Sequence, residues 1–325
     1  MKRVLIAGGA GFIGSHLADL HLSKGDHVTV VDNLITGQFK NIEALLPKGL
    51  QFINADITEP LSLRGPFDQI YNLASPASPV DFKTMPLFIL RTASVGHENL
   101  LKMAVANKAR ILMGSTSEVY GDALEHPQRE TYFGNVNPNG ERSCYDEGKR
   151  YTEALSMAYI HEKRANACIA RIFNTYGPRM RLNDGRVIPN FMTQAAKGES
   201  LSIYGQGIQT RSLCYVSDLV AGLYALMQSD EIGPINIGNP HEMTILELAN
   251  EVNKVTQNRT PHRYLPLPPD DPKQRRPDIT KAKTLLDWQP MVSLEVGLKL
   301  TYEAFREELK EKGSVSARAF EQSVP

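Results

Sequence analysis

Cysteine is scarce in this sequence. Its three cysteines, Cys144, Cys168 and Cys214, form no C-x-x-C pair and have no histidine at metal-ligand spacing. This pattern argues against a disulfide framework and gives no signal for a metal site. We expect three reduced thiols in a cytoplasmic protein.

Net charge and long hydrophobic runs are also missing. Lys plus Arg and Asp plus Glu both number 36, so we expect no nucleic-acid partner and no anionic membrane surface. The opening apolar run is cut at once by glycines, which argues against a signal peptide or a membrane span. Apolar residues make up 42% and charged residues 22% of the chain, which is typical of a soluble globular protein.

Short apolar runs alternate with longer helical patterns. The runs lie at 4–7, 28–31, 50–53, 69–73, 111–113 and 168–172. The helical patterns lie at 16–24, 87–106, 145–164, 188–197 and 216–228. The alternation predicts an α/β fold, a Rossmann-like doubly wound parallel sheet whose strands are buried on both faces.

A glycine-rich segment follows the first predicted strand. Residues 8–14 read G-G-A-G-F-I-G, which is G-x-G-x-x-G when taken from Gly9. Glycines let a pyrophosphate approach the backbone, and the following helix directs free N–H groups at it. Asp32 ends the second strand 21 residues beyond Gly11, where a carboxylate binds the ribose hydroxyls of NAD and repels the extra phosphate of NADP. We therefore expect NAD, a preference that a cation such as Lys40 would weaken.

Beyond residue 174 glycine and proline punctuate the pattern, which predicts a smaller mixed α/β unit. Thr244 and Glu247 form a capping-box pattern that predicts a helix start. The segment 265–277 is predicted as an ordered loop over a site or as a linker. The predicted division is an NAD-binding domain at 1–175, joined by 212–238, a substrate domain at 176–211 and 239–312, and a flexible tail at 313–325.

A second motif lies on the helix predicted at 145–164. Tyr145 and Lys149 are four residues apart and share one helix face. A lysine ammonium and a positively charged nicotinamide nearby would both favour the phenolate, which can then take a proton from a sugar hydroxyl. By itself the pair is better explained by an exposed tyrosine beside a solvated lysine, but it follows a nucleotide-binding pattern at the right distance. Thr116 and Glu118, at the exit of the fifth strand, supply a hydroxyl and a carboxylate for the same site.

Together these segments resemble the extended short-chain dehydrogenases/reductases that act on nucleotide sugars. The cues, between residues 2 and 308, are GGAGFIG at 8–14, Asp32, STSEVYG at 115–121, YDEGK at 145–149 and NTYGPR at 174–179.

Within that group the sequence is similar to the UDP-glucuronate decarboxylases. The cues are ASPASP at 74–79, NDGRVIPNF at 183–191 and DDPKQRRPDI at 270–279. Related 4,6-dehydratases place an acidic residue where this chain has Ser117. The resemblance implies decarboxylation of UDP-glucuronate to UDP-xylose through a 4-keto sugar, with bound NAD recycled. It also implies a homodimer formed through the helices at 87–106 and 145–164, although their apolar stripes are equally explained by packing on the sheet.

The resemblance also implies roles for individual residues. The expected catalytic set is Tyr145, Lys149, Thr116, Glu118 and Arg275. The expected cofactor set adds Gly8, Gly11, Phe12, Ile13, Gly14, Asp32, Asn33, Gly37, Asp56, Ile57, Leu73, Ala74, Ser75, Thr92, Thr175 and Arg186 to Tyr145 and Lys149. The expected substrate set is Arg91, Asn99, Asn174, Tyr204, Arg211 and Arg275. Arg91 is equally explained as a solvated surface charge.

Two other functions fit parts of this pattern. A nucleotide-sugar 4-epimerase or 4,6-dehydratase would keep Tyr145 and Lys149 but would need no group for a sugar carboxylate, which Arg275 is expected to hold. A non-catalytic NAD-binding regulator would share the scaffold, but such proteins often lose the tyrosine or the lysine.

Overall fold

A computed structural model describes residues 1–61, 63, 65–266 and 274–321, with side chains up to residue 313. Seven parallel strands form the central sheet, in the order β11-β6-β5-β4-β1-β2-β3. The strands are β1 (Arg3–Ala7), β2 (His27–Asp32), β3 (Gln51–Asn54), β4 (Gln69–Asn72), β5 (Arg110–Thr116), β6 (Asn166–Ile172) and β11 (Ile235–Ile237). The predicted doubly wound α/β fold is confirmed.

The sheet is buried on both faces because its strands carry apolar side chains at consecutive positions. Val4 and Ile6 of β1 belong to one core cluster, while Leu5 and Ala7 belong to another. Alternate side chains of a strand point to opposite faces, so one strand supports both helical layers.

The chain order reverses beside β1, which pairs with β2 on one side and β4 on the other. Ala7 is aligned with both Val31 and Asn72, so the carboxyl ends of the three strands meet at one edge. Ligands of open parallel sheets bind in the crevice at such a reversal point.

Helices flank the sheet on both faces. The helices of the first half are α1 (Phe12–Ser23), α2 (Lys40–Glu43), α3 (Pro79–Thr84), α4 (Pro86–Arg91), α5 (His97–Asn107) and α6 (Ser143–His161). The helix predicted at 87–106 is two helices, α4 and α5, joined by a π-helical turn at Thr92–Gly96. The spacing of apolar residues over 87–106 does not reveal the single π-helical turn, because the segments on both sides of it keep the α-helical spacing.

The second half of the chain supplies the remaining helices and the short paired strands. Its helices are α7 (Val187–Ala196), α8 (Val216–Gln228), α9 (Ile245–Thr256), α10 (Thr280–Leu286) and α11 (Leu294–Glu321). Its short strands are β7 (Thr175–Tyr176), β8 (Ser202–Tyr204), β9 (Thr210–Ser212), β10 (Cys214–Tyr215), β12 (Glu242–Thr244) and β13 (Arg263–Leu265), which pair as β7–β10, β8–β13 and β9–β12. The capping box of Thr244 and Glu247 at the start of α9 is confirmed.

The last helix extends into the C-terminal segment. α11 continues through Glu321, within the residues 313–325 that are predicted as a flexible tail, and the flexibility of that tail stays a prediction. Lysine, arginine, alanine and glutamate extend an existing helix at little cost, and a helix once begun propagates readily. Residues 322–325 lie outside the described residues, as do 267–273 of the loop predicted at 265–277. In the parts of the chain described above, no helix is long and apolar enough to cross a membrane.

Candidate active site

The glycine-rich turn between β1 and α1 forms a narrow cradle. Gly8 has φ +76°, and a Cβ there would stand 2.7 Å from the backbone nitrogen of Ala74. Any larger residue would force the turn and the exit of β4 apart. The turn therefore leaves backbone N–H groups at the start of α1 accessible to a pyrophosphate, which fits NAD.

The Asp32 carboxylate is fixed beside this cradle. It accepts hydrogen bonds from the backbone N–H of Ala10 at 3.0 Å and of Leu34 at 2.9 Å. Gly37 faces it so closely that a Cβ would stand 2.6 Å from a carboxylate oxygen. Lys40 does not offset the carboxylate, because its ammonium group pairs with Glu308 at 2.6 Å. These contacts fit a ribose with free hydroxyls and so favour NAD over NADP.

A small cavity continues from Asp32 towards the exit of β3. Asp56 accepts a hydrogen bond from the Asn33 side chain at 3.0 Å and from the backbone N–H of Thr58 at 2.8 Å. The predicted cofactor residues that line this cavity are Gly8, Gly11, Asp32, Asn33, Gly37, Asp56, Ile57, Leu73, Ala74, Ser75 and Thr92. The structure thus groups these predicted cofactor residues in one place.

The main cavity, about 510 Å³, opens from the cradle towards the second half of the chain. It is lined by the remaining predicted cofactor residues and by most of the predicted substrate residues. These are Phe12, Ile13, Gly14, Thr116, Glu118, Tyr145, Lys149, Asn174, Thr175, Arg186, Tyr204, Arg211 and Arg275. The structure thus brings together groups that lie far apart in the sequence.

Tyr145 and Lys149 lie on the face of α6 that borders this cavity. The Tyr145 ring stacks on Phe82, with 4.8 Å between centroids. The Lys149 ammonium donates to the carbonyl of Gly114 at 2.7 Å and lies 5.8 Å from the centroid of the Tyr145 ring.

Burial governs the protonation of both groups. It raises the pKa of Tyr145 to about 12, against the opposing effect of a hydrogen bond with Thr116, and it lowers the pKa of Lys149 to about 8. The prediction that the lysine ammonium and a nicotinamide charge together favour the phenolate is consistent with this balance, because burial by itself keeps Tyr145 protonated. Desolvation of a phenolate outweighs one nearby ammonium, so a further positive charge is needed.

Glu118 is held between two guanidinium groups. Arg275 donates to its carboxylate at 2.9 Å and 3.3 Å, and Arg142 donates at 2.6 Å. Burial raises the pKa of Glu118, but the two arginines outweigh burial and bring the pKa down to about 2. Glu118 is therefore ionised at neutral pH and cannot serve as a proton donor.

Arg275 is more enclosed than the sequence suggested. Its side chain is only 2% exposed, and it also donates to the Ser117 hydroxyl at 2.8 Å. Its main partner in the structure is Glu118, so it acts on the cavity largely through that carboxylate.

Arg142 was missed by the sequence analysis. It lies just before α6, packs over the Phe82 ring at 5.4 Å, and approaches Asp146 at 4.0 Å. The i, i+4 spacing of Arg142 and Asp146 was the available signal, but nothing in the sequence placed Glu118 beside them. Burial, together with the charge of Glu118, raises the pKa of Asp146 to about 7.

Two buried carboxylates organise further arginines at the cavity wall. Asp81 accepts a two-point ion pair from Arg181 at 2.6 Å and 3.2 Å. Asp184 accepts from Arg186, and its backbone carbonyl accepts a hydrogen bond from the Ser78 hydroxyl. Asp81, Asp184 and Arg181 were not predicted, although Asp184 and Arg186 belong to the motif at 183–191.

Two predicted substrate residues lie outside both cavities. Arg91 is largely solvent-exposed and contacts Glu59 at 3.5 Å, as the alternative of a surface charge predicted. Asn99 donates from its side chain to the carbonyl of Ile57 at 2.9 Å, so it braces the exit of β3. Among the residues that the structure describes, no group of three or more His, Cys, Asp or Glu side chains could hold a metal ion.

Comparison with known proteins gives one consistent pattern. The family model described as GDP-mannose 4,6 dehydratase matches residues 5–301. A UDP-glucuronic acid decarboxylase of Danio rerio is 50% identical over 96% of this chain and 75% of its own length. UDP-glucuronic acid decarboxylase 5 of Arabidopsis thaliana is 52% identical over 94% of this chain and 89% of its own length.

Solved structures of nucleotide-sugar 4-epimerases share the fold. UDP-glucuronic acid 4-epimerase from Bacillus cereus, crystallised with UDP-glucuronic acid and NAD, superposes with a TM-score of 0.84 at 29% identity, covering 94% of this chain and 99% of the epimerase. UDP-glucose 4-epimerase from Thermotoga maritima superposes with a TM-score of 0.87 at 30% identity, covering 94% and 99% of the two chains.

Proposed function

The chain belongs to the UDP-glucuronic acid decarboxylases, within the extended short-chain dehydrogenase/reductase superfamily, and we propose a mechanism for it from its own side chains. The enzyme converts UDP-glucuronate to UDP-xylose with bound NAD. One observation carries the assignment of reaction type: the Tyr145–Lys149 pair opens on an NAD cradle, while Ser117 and an ionised Glu118 stand where dehydration would need an acid. The site can oxidise the sugar but lacks a proton donor there for the loss of water.

The glycine-rich cradle and Asp32 would hold NAD, which would supply a reversible hydride acceptor for sugar C4 and a positive charge on its nicotinamide ring. That charge, added to Lys149, offsets the burial that raises the tyrosine pKa. The Tyr145 oxygen then takes the proton of the sugar 4-hydroxyl. The Thr116 hydroxyl orients the sugar oxygen on C4. A general base of this kind contributes roughly 10²–10⁴-fold to the rate.

The 4-keto sugar is a β-keto acid with its carboxylate on C5. When carbon dioxide leaves, the electron pair of the broken bond forms an enolate whose oxygen lies at the former 4-hydroxyl. Tyr145, now protonated, and Thr116 donate to that oxygen and stabilise it. A proton from solvent water adds at C5 and restores the ketone, and Tyr145 then gives its proton to the oxygen on C4 as the hydride returns to that carbon.

The positive charges around Glu118 suit the binding of the sugar carboxylate on C5, which must be held in place until it leaves as carbon dioxide. Arg142 and Arg275 give this wall of the cavity two positive charges against the single negative charge of Glu118. We propose that Arg142 faces the sugar carboxylate and that Arg275 acts behind it by holding Glu118, while Asn174 and Tyr204 contact the sugar and the uridine and Arg211 contacts the diphosphate. Guanidinium groups bind both carboxylates and phosphates by two-point hydrogen bonding.

We also propose a domain division, a cellular location and a mode of pairing. The chain divides at about residue 175, with 212–238 returning to the NAD-binding part. It works in the cytoplasm, a location supported by three buried free cysteines. It pairs with a second copy through α4 and α6, because Leu87 and Tyr151 on those helices are 77% and 51% exposed.

The direct test is incubation of the purified protein with UDP-glucuronate and catalytic NAD, followed by mass spectrometry. We expect loss of carbon dioxide and UDP-xylose as the main product. An unchanged substrate mass with inverted stereochemistry at C4 would identify a 4-epimerase instead, the activity of the Bacillus cereus neighbour. Loss of water would identify a dehydratase, and either result would overturn the proposal.

A further inference from the structure

A buried histidine lies between the NAD cradle and the helix that carries Tyr145. His97 begins α5, directly after the π-helical turn, and is 0% exposed. Both ring nitrogens are hydrogen-bonded: Nδ1 to the side-chain nitrogen of Asn72 and Nε2 to the hydroxyl of Ser156, each at 2.8 Å. It does not line either cavity, so the mechanism above does not use it.

The contacts fix one tautomer. The side-chain oxygen of Asn72 accepts from the backbone N–H of Ala74 at 3.2 Å, so the amide nitrogen is the group that faces His97. That nitrogen is a donor, which makes Nδ1 of His97 an acceptor and leaves the ring proton on Nε2. Ser156 accepts that proton and donates its own to the carbonyl of Thr152 at 2.9 Å. Each donor in the series has one acceptor, and a protonated ring would set two donors against each other at Asn72.

The two ends of this series are parts of the active site. At one end, Ala74 packs directly against Gly8 of the cradle. At the other end, Thr152 donates to the carbonyl of Gly148 at 2.6 Å, one residue before Lys149. The carbonyl of Ala93, in the π-helical turn, lies 3.2 Å from the same hydroxyl and is the alternative acceptor of its one proton.

We propose that His97 is a positioning residue that fixes the distance between the NAD cradle and the helix bearing Tyr145 and Lys149. The inference rests on the proposed function, because that reaction first oxidises and later reduces the sugar at C4. Both steps need the sugar oxygen at Tyr145 to be aligned with the cofactor. A misplacement of about 1 Å between reacting groups can reduce a rate by about 10²-fold. Without the link, the affinity for NAD falls and the 4-keto pentose is released before the cycle closes.

The test compares His97→Leu with His97→Gln. Leucine has neither acceptor nor donor, whereas the glutamine amide offers one of each about as far apart as the ring nitrogens. The matched control is His21→Leu. His21 is also 0% exposed and bonded through both nitrogens, to Asp26 at 2.8 Å and Tyr71 at 3.0 Å, but it does not contact α6 through them.

Calorimetry with NAD and product analysis with UDP-glucuronate give the readouts. For His97→Leu we expect the Kd for NAD to rise and kcat to fall by about tenfold or more, with free 4-keto pentose among the products. His97→Gln should restore all three, and His21→Leu should lower only the melting temperature. If His97→Leu does not fold, Ser156→Ala removes the acceptor of the ring proton with little loss of volume and should act in the same direction.

Wild-type NAD affinity and product partition in His97→Leu, with a reduced melting temperature alone, would overturn the inference. So would equal impairment of the leucine and glutamine variants, which would assign the effect to ring shape. Because NAD binding is measured without substrate, it decides the role of His97 even if the wild-type protein yields no UDP-xylose, a result that would instead refute the proposed function.

Discussion

At the scale of single residues, Tyr145 carries the proton transfer. Tyr145→Phe keeps the ring stacked on Phe82 and removes the hydroxyl. We expect kcat to fall by about 10²–10⁴-fold while the Kd for NAD stays within about twofold, because the phenol acts on the sugar oxygen. Tyr159→Phe, a buried tyrosine on the same helix, is the control. Near wild-type turnover by Tyr145→Phe would remove this residue from the mechanism.

Arg142 is the residue that the sequence analysis missed, and its charge has a measurable effect. Arg142→Met removes one of the two guanidinium groups that lower the pKa of Glu118, so that pKa must rise. The acid limb of the kcat/KM profile should move to higher pH, and kcat/KM at neutral pH should fall by about tenfold or more.

The control for Arg142 is Arg164→Met, an exposed arginine beyond the end of α6 that pairs with Glu162 at 3.4 Å. An acid limb at the same pH in wild type and Arg142→Met would show that Arg142 does not hold Glu118 ionised during catalysis.

At the scale of elements, α4 and α6 present apolar side chains to solvent. Leu90 packs near Gly148 of α6, while Leu87 is 77% exposed one turn away. If two copies pair through these helices, Leu87→Asp buries a charge at the interface and should give a monomer in light scattering. Met291→Asp, equally exposed but outside these helices, should leave the mass unchanged. A monomeric wild type would reject this pairing.

The strands and the cradle were predictable, whereas the finer elements were not. Buried parallel strands such as β1 leave consecutive apolar residues, and the glycine pattern is local, so both are visible in sequence. The π-helical turn at 92–96 and the Glu118–Arg142 contact depend on packing between distant segments, which one sequence does not display. Arg91 and Asn99 failed to reach the cavities for the same reason: position in a motif does not give the direction of a side chain.

At the scale of the whole molecule, the free energy of unfolding depends on pH through buried groups whose titration changes it in opposite directions. Burial lowers the pKa of His97 to about 3, so the unfolded chain binds more protons than the native one below pH 6.5. Stability due to His97 is complete above that pH and is lost as pH falls. Asp146, with its pKa raised to about 7, acts oppositely between its unfolded value and pH 7.

The difference between wild type and His97→Gln isolates one of these contributions. Urea unfolding at several pH values from 7.5 to 4.5 should show that wild-type stability falls more steeply with acidification. The excess slope should approach about 1.4 kcal/mol per pH unit below pH 6.5. Parallel curves for the two proteins would mean that His97 is also neutral in the unfolded chain over this range, or charged in both states.

The position of β11 has a consequence for any attempt to divide the protein. This strand comes late in the chain, yet it covers the outer edge of β6, matching Ala170 with Ile235 and Ile172 with Ile237. A fragment ending at residue 175 would expose the N–H and C=O groups of a long apolar strand, an open template for pairing with other chains. The NAD-binding part ending at residue 175 is therefore not expected to fold as an independent domain. If the chain is cleaved or truncated after β6, the fragment should aggregate. During synthesis, the chain must reach residue 237 before β11 can cover the edge of β6.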